Sequence, residues 1–175
     1  IIERIREKYD PLATCIPAHT TLVFPFESDM SAEALVDHVT TVLDRDPTLR
    51  TPIGTLLTRF DYPPAGEIHL IVEDCDSRIF NLHRALYADK LQKFLDLRHT
   101  YSPHITLGVS QSDRKENSSM RLLKLPLNVT FPRIVIERIL PDECSQIICE
   151  IELCSSSKDV KEEVCCKKHT HPILT

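Results

Sequence analysis

The chain lacks the features that would direct a protein into or through a membrane. No apolar run in its 175 residues approaches the roughly 20 residues that a membrane-spanning helix needs. No basic segment followed by an apolar stretch and a small-residue cleavage site opens the sequence. We therefore expect an intracellular protein, cytoplasmic or nuclear, with no membrane partner.

An excess of positive charge is also missing. The formal net charge is -5, with 21 Lys and Arg residues against 26 Asp and Glu residues. Surfaces that bind long nucleic acids are usually basic because they neutralise many phosphates. The charge therefore argues against a long nucleic-acid groove and still allows a short nucleotide or the end of an RNA to bind.

The cysteines do not form a pattern typical of a disulfide framework. There are seven of them, irregularly spaced, and five follow residue 140. Disulfide frameworks occur in small secreted domains with an even number of cysteines. We therefore expect no disulfide framework in this chain.

The last part of the chain, residues 155–175, is rich in Ser, Lys and Cys and predicts a flexible tail. It contains four residues of metal-binding type: Cys165, Cys166, His169 and His171. Adjacent cysteines and a short histidine spacing do not match a standard zinc knuckle, so we expect no metal site there.

Two short stretches of the chain repeat the pattern His-x-Thr-Leu. The first begins at His19 and contains Thr21, and the second begins at His104 and contains Thr106. Both lie among apolar and β-branched residues, which predicts two strands, one from about 19 to 26 and one from about 103 to 110. Residues i and i+2 of a strand share a face, so each motif presents one imidazole beside one hydroxyl.

The surrounding pattern predicts the order β-α-β-β twice, once around each motif. In the first half the motif strand is followed by a helix that Ser31 caps and that ends before Pro47, and then by two strands, 53–60 and 67–73. In the second half it is followed by a weaker helix and two strands: 113–123, 129–140 and 145–153. Two further helices are expected, one ending at Tyr9 and one capped by Asp76 or Ser77 and extending to Leu95.

Two such motifs facing one phosphorus atom would form a phosphate site. One imidazole can act as general base and the other as general acid near neutral pH. Two threonine hydroxyls can donate hydrogen bonds to the non-bridging oxygens. This chemistry suits attack on a phosphodiester by water or a ribose hydroxyl, and it requires no metal or cofactor.

With both motifs, the chain resembles the two-histidine (2H) phosphoesterase superfamily, in its 2′-5′ RNA ligase-like and cyclic phosphodiesterase branch. The resemblance extends beyond the bare motifs, over residues 16–26 and 101–108. It implies an α+β fold with two lobes, related by pseudo-two-fold symmetry and each built from a β-α-β-β unit. Two antiparallel sheets would flank a central cleft, and the helices would lie outside them. It places one domain at 1–154, with lobes at about 1–75 and 76–154. Family domains usually begin with a strand before the first helix, and since this sequence starts within what looks like that helix, we expect one lobe to lack the strand.

The same resemblance implies the catalytic tetrad His19, Thr21, His104 and Thr106. The expected activity is metal-independent hydrolysis of 2′,3′-cyclic phosphates or 2′-5′ linkages at RNA ends or in short nucleotides, with His104 as base and His19 as acid. A second hypothesis is a binding module that holds a nucleotide or RNA end in the same cleft without turnover. We expect a monomer in either case.

Three other residues are candidates for substrate contact: Tyr101, Phe26 and Arg98. The two aromatic rings could stack on a base, and the guanidinium could bind a phosphate. Core packing is an equal alternative for Tyr101, and a solvated surface position is the favoured alternative for Arg98. The histidines in predicted helices or a strand have no second functional residue at a telling spacing, and we expect ordinary structural or surface roles for them: His38, His69 and His83.

Overall fold

Three α-helices and eight strands in two sheets make up the part of the chain that the computed structural model describes, which is residues 1–109, 120–154 and the backbone of 173–174. In chain order they are α1 (Ile2–Tyr9), β1 (His19–Thr20), α2 (Ala32–Arg45), β2 (Ile53–Asp61), β3 (Glu67–Glu73), α3 (Arg78–Leu86), β4 (His104–Val109), β5 (Leu127–Phe131), β6 (Arg133–Ile139), β7 (Ser145–Glu152) and β8 (Ile173–Leu174). Short 3-10 turns occur at Pro47–Arg50, Asp89–Phe94 and Met120–Leu122. None of the helices in these ranges is long and apolar enough to span a membrane.

The two sheets differ in strand direction. The first has the order β4-β3-β2-β5 and is antiparallel throughout. The second has the order β1-β8-β6-β7, in which β6 and β7 are antiparallel but β8 is parallel to both β1 and β6. The expected α+β architecture with two sheets is confirmed, whereas the expectation that both sheets are antiparallel is wrong for the second. The internal duplication stays a prediction.

Several local predictions agree with the structure. Helix α1 ends at Tyr9, before Pro11, and α2 begins after Ser31, whose Oγ accepts a hydrogen bond from the Ala34 amide at 3.2 Å. Strands β2 and β3 form the predicted hairpin, and Gly66, with φ at +89°, lies in its turn. Strand β4 covers the second motif. These elements depend on short-range signals such as capping, proline and alternation.

The strand predicted over 129–140 is in fact two strands in different sheets. Pro132 separates β5, in the first sheet, from β6, in the second. Proline has no amide hydrogen to donate to a ladder, and the Pro132 carbonyl instead accepts from the Leu153 amide at 2.7 Å. As a result the first sheet contains β2 and β3 from the first half of the chain and β4 and β5 from the second. The sheets therefore do not correspond to halves of the sequence, and the lobe division at 75/76 stays a prediction.

The first motif strand is shorter than predicted, because only His19–Thr20 pairs with another strand. After Thr20 the backbone bonds to side chains instead of to a strand. The Thr21 carbonyl accepts from Tyr101 Oη at 2.9 Å, and the Leu22 carbonyl accepts from His83 Nδ1 at 2.6 Å. The Phe24 amide donates to Tyr87 Oη at 2.9 Å. These bonds replace the strand ladder. The segment after β1 is consequently held by α3 and by the approach to β4.

The long helix predicted from 77 to 95 ends at Leu86 and is followed by the 3-10 turn. Asp89, at the start of that turn, has a left-handed backbone with φ at +52°, which an α-helix cannot contain. Asp74 caps α3 by accepting from the amides of Ile79 (3.0 Å) and Phe80 (2.8 Å). The predicted cap Asp76 accepts from the Arg78 amide at 3.3 Å, and Ser77 makes no side-chain cap.

A disulfide joins Cys15 and Cys144, whose Cα atoms lie 5.3 Å apart. The cysteine pattern argued against a framework of several bridges and did not anticipate this pair. The bond joins the loop before β1 to the turn between β6 and β7. Sequence spacing could not indicate this pair because 129 positions separate its members. Three cysteines in the described ranges are free thiols: Cys75, Cys149 and Cys154.

Two sequence predictions fall mainly outside the described residues. Of the helix predicted over 113–123, residues 113–119 lie outside them and 120–122 form a 3-10 turn. Of the predicted tail, only 173–174 are described, and they pair between β1 and β6. That pair of residues belongs to the second sheet. The cysteines and histidines of the tail lie outside the described ranges.

Helix α1 packs very closely against β4 at Gly108. A Cβ atom built on Gly108 would lie 2.1 Å from the Tyr9 carbonyl oxygen, and the φ angle of Gly108 is +135°. Both the space and the backbone conformation therefore require glycine at this position. The contact fixes the end of α1 against the strand that carries the second motif.

We expect Gly108→Ala to lower the free energy of unfolding by about 2 kcal/mol or more, because it adds overpacking to backbone strain. Urea denaturation measures the change. Gly54→Ala is the matched control, since a Cβ at Gly54 meets no atom within 4 Å. Equal unfolding midpoints for the two variants would contradict this account of the α1–β4 contact.

Candidate active site

A buried arginine ties the loop before the first motif histidine to α1. Arg6 is 2% exposed and donates to the Ile16 carbonyl at 2.7 Å. Its guanidinium also bonds to the carboxylates of Asp10, at 2.6 and 3.0 Å, and Glu3, at 3.1 Å. Glu3 in turn accepts from the Ala18 amide at 2.7 Å. The backbone on the approach to β1 is thus held at two points by one helix.

The two motif histidines have the same local geometry. His19 Nδ1 donates to the Pro17 carbonyl at 2.8 Å, and His104 Nδ1 donates to the Ser102 carbonyl at 2.7 Å. A carbonyl oxygen can only accept, so in both rings Nδ1 carries the hydrogen. This leaves Nε2 of each imidazole as the nitrogen available to take or give a proton.

Burial favours the neutral form of both rings. It is the main cause that lowers the pKa of His19, with smaller contributions from the charges of Arg6 and His104, while the Pro17 carbonyl opposes the shift. Burial also lowers the pKa of His104. The two motifs are electrostatically coupled because β1 packs against β4.

Around His104 the neighbouring charges act in both directions. His69 lowers the pKa of His104, after burial, and the Ser102 carbonyl and the carboxylates of Glu67 and Asp61 raise it. The net shift is downward. A neutral imidazole with a free Nε2 is the form that can act as a general base.

His69 is the residue near the site that sequence reasoning missed. Its ring stacks on the His104 ring with centroids 3.7 Å apart and planes at 16°. In the β3–β4 register His69 lies opposite Thr106, and His104 lies opposite Ile71, so the two histidines are diagonal neighbours. Only the pairing of β3 with β4 brings them together, and the sequence held no signal for that pairing beyond alternation in each strand.

The motif threonines are placed differently from each other. Thr106 lies in β4, two residues after His104, and therefore on the same face of the strand. Thr21 follows the last paired residue of β1 and lines a cavity together with His19. Thr106 thus shares a strand face with His104, and Thr21 shares a cavity wall with His19.

A cavity of about 850 Å³ opens beside the first motif. His19 and Thr21 line it, and the rest of its wall is mostly apolar and comes from the segment after β1, from α2 and from β6. His104 and Thr106 are not part of the wall. The packing of β1 on β4 brings the two motifs near each other. This cavity, however, has only the first motif in its wall, whereas we expected a cleft lined by both.

Two of the three candidate substrate contacts, Phe26 and Arg98, lie in different surroundings. Phe26 lines the cavity, and its ring stacks on Phe94 with centroids 4.2 Å apart. Arg98 has an exposed side chain in an ion pair with Asp96 at 2.6 Å, in agreement with a solvated surface position. Phe26 thus shares a cavity wall with His19, whereas Arg98 is not part of that wall, and the substrate roles of both residues stay predictions.

Tyr101 has a structural role in addition to any contact with substrate. Its ring stacks on His83, with centroids 3.7 Å apart and planes at 9°, and its hydroxyl bonds to the Thr21 carbonyl. Burial raises the pKa of this hydroxyl far above its ordinary value. The packing alternative for Tyr101 is therefore realised, while stacking on a base stays a prediction.

No group of three or more His, Cys, Asp or Glu side chains is placed to hold a metal ion within residues 1–109 and 120–154. The four residues of metal-binding type in the tail lie outside these ranges. The donor atoms at the two motifs are two imidazoles and two hydroxyls, a set suited to proton transfer and hydrogen bonding to phosphate.

A mixed fold of two sheets that brings two His-x-Thr motifs together through the packing of β1 on β4 is the arrangement expected of the two-histidine class of proteins. The sequence matches the 2′-5′ RNA ligase superfamily over residues 1–142, and the chain belongs to this family. This confirms the resemblance seen in the motifs.

Two curated relatives carry phosphoesterase names. The chain is 34% identical over 108 residues to "Putative phosphoesterase GK0864" of Geobacillus kaustophilus, a match that covers 59% of this chain and 57% of the relative. It is 33% identical, with the same coverage, to "Putative phosphoesterase" of Geobacillus thermodenitrificans. The chain thus spans little more than half the length of the curated relatives it matches.

The lowered pKa values of His19 and His104 predict a pH-dependent stability. Above the ordinary histidine pKa of about 6.5 neither state binds the proton, and as the pH falls below it the unfolded chain takes up protons first. The free energy of unfolding should therefore fall between pH 7 and pH 5. Urea denaturation at each pH measures this free energy, expressed relative to its value at pH 8. In His19→Gln and in His104→Gln it should fall less steeply than in the wild type. Parallel pH profiles for all three proteins would contradict this.

Proposed function

We propose that the protein is a metal-independent phosphodiesterase that hydrolyses 2′,3′-cyclic phosphates or 2′-5′ linkages at RNA ends or in short nucleotides. The observation that carries the proposal is the matched orientation of the two imidazoles, each with Nδ1 on the carbonyl two residues earlier and Nε2 free. Membership of the superfamily and the names of the relatives support phosphoesterase chemistry.

In the proposed hydrolysis of a cyclic phosphate, His104 Nε2 removes a proton from water as the water oxygen forms a bond to phosphorus. His19, protonated, gives its proton to the ribose oxygen as the bond from that oxygen to phosphorus breaks. The hydroxyls of Thr21 and Thr106 donate hydrogen bonds to the non-bridging oxygens. The negative phosphate favours the protonated acid, which offsets the effect of burial on His19. The two histidines exchange roles in the reverse reaction.

We expect His19→Ala and His104→Ala each to reduce turnover by about a thousandfold, because each removes one partner of the proton transfer. The assay uses 2′,3′-cyclic AMP and a 2′-5′-linked oligoadenylate in the presence of chelator, with products separated by chromatography. His99→Ala, on an exposed turn, is the control and should retain wild-type turnover. Normal turnover in either motif variant, with the fold intact, would refute the two-histidine mechanism.

The alternative is a binding module that holds a nucleotide or RNA end without cleaving it. The specific observation in its favour is that the cavity wall includes His19 and Thr21 but neither His104 nor Thr106. A site that contacts the phosphate mainly through one motif could bind a ligand without completing the acid–base pair.

Binding through the threonines predicts that Thr21→Val and Thr106→Val each weaken affinity for 2′-AMP or 3′-AMP by about tenfold, the loss of one hydrogen bond to a charged group. Titration calorimetry measures the affinity. Thr20→Val is the matched control. Thr20 lies between His19 and Thr21 in the chain, is buried, and makes no hydrogen bond through its Oγ1 to the described residues. Unchanged affinity in both motif variants would count against phosphate binding at these hydroxyls. Affinity without any product from wild type would favour the binding module over the enzyme.

A further inference from the structure

We propose that His69, anchored by Glu67, is a positioning residue. Its ring holds the His104 imidazole in the orientation that lets His104 Nε2 reach the phosphate group of a substrate. The catalytic consequence rests on the proposed function. The positioning itself is a property of the folded protein and can be tested without turnover.

Two contacts define the orientation of the His104 ring. The Ser102 carbonyl accepts from Nδ1 at 2.7 Å, which sets the direction of the ring nitrogens. The His69 ring lies against one face, with centroids 3.7 Å apart and planes at 16°, which restricts tilting of the ring. A hydrogen bond alone permits rocking about its own axis, so the stacking contact adds a constraint that the bond does not supply.

His69 is itself held in place. Its Nε2 donates to Glu67 Oε2 at 2.8 Å, and its side chain is only 13% exposed. The β3–β4 register shifts between Ile68 and His69, and irregularities of this kind re-aim side chains next to functional sites. The irregularity and the anchoring bond together place His69 over a motif ring.

The charges that face His104 come from three strands. Glu67 and His69 lie on β3, Asp61 on β2 and His19 on β1. A positive charge on the stacked His69 ring repels an imidazolium at His104, and this repulsion lowers the pKa of His104. The carboxylates of Glu67 and Asp61 act in the opposite direction. Replacing His69 by Phe keeps a flat ring but removes the repulsion, and the pKa of His104 should then rise.

The experiment compares His69→Ala, which removes the ring, with His69→Phe, which keeps it. The first readout is the NMR titration of the His104 ring, and the second is kcat and KM for 2′,3′-cyclic AMP across pH. We expect His69→Ala to lower kcat about tenfold with KM within about twofold, the signature of a misplaced catalytic group. His69→Phe should recover most of kcat and move the His104 titration and the matching limb of the pH–rate profile to higher pH.

Two controls separate this role from a general loss of stability. His99→Ala removes an exposed histidine and should change neither readout. Glu67→Gln keeps a side chain that can bond to His69 but removes the charge, and should lower the pKa of His104. Glu73→Gln, at the other end of the same strand, is its matched control and should not shift the titration.

A His69→Ala variant with the wild-type His104 titration and the wild-type kcat would overturn the proposal. A His69→Phe variant as slow as His69→Ala would overturn positioning by the ring face. If the wild-type protein turns over neither cyclic AMP nor the oligoadenylate, the proposed function fails. The titrations of the His69 and Glu67 variants would then still decide whether His69 controls His104.

Discussion

The buried guanidinium of Arg6 is the interaction on which the geometry around the first motif depends. It joins α1 to the loop before β1 through the Ile16 carbonyl and is neutralised by Asp10 and Glu3. Removing one partner of a buried ion pair typically costs about 3–5 kcal/mol, because it leaves the other charge uncompensated. The same helix meets β4 at Gly108. Helix α1 therefore contacts both the approach to His19 and the strand of His104, and so sets their relation.

The two motif rings combine burial with a carbonyl acceptor on Nδ1. Burial disfavours the charged form, while the carbonyls of Pro17 and Ser102 favour it by accepting a hydrogen bond. The downward net shift leaves both rings predominantly neutral at pH 7 in the free protein. In the proposed mechanism, an anionic phosphate between them would raise the proton affinity of the nearer ring, so that one ring acts as the base and the other as the acid. This balance is a property of the environment and not of the His-x-Thr pattern alone.

Elements that depend on neighbouring residues were predicted well, and those that depend on distant ones were not. Ser31 capping, the hairpin turn at Gly66 and the alternation of β4 are read within a few residues. By contrast, the truncation of β1 depends on side chains of α3 and on Tyr101, which lie about 60 to 80 positions away. Cys15 and Cys144 are likewise paired by the packing of the loop before β1 against the β6–β7 turn. Pro132 was visible, yet the sequence did not show that the chain changes sheets there.

The sequence by itself determined the two His-x-Thr motifs, the strand that carries the second motif with imidazole and hydroxyl on one face, and the family to which the chain belongs. These follow from residue identity and from the period of two in a strand. Only the tertiary structure decided that β1 packs against β4, that the cavity wall includes one motif and not the other, and that His69 covers the ring of His104. The reason is physical: strand pairing and packing join residues far apart in the chain, and no local pattern specifies which face of one strand meets which residue of another.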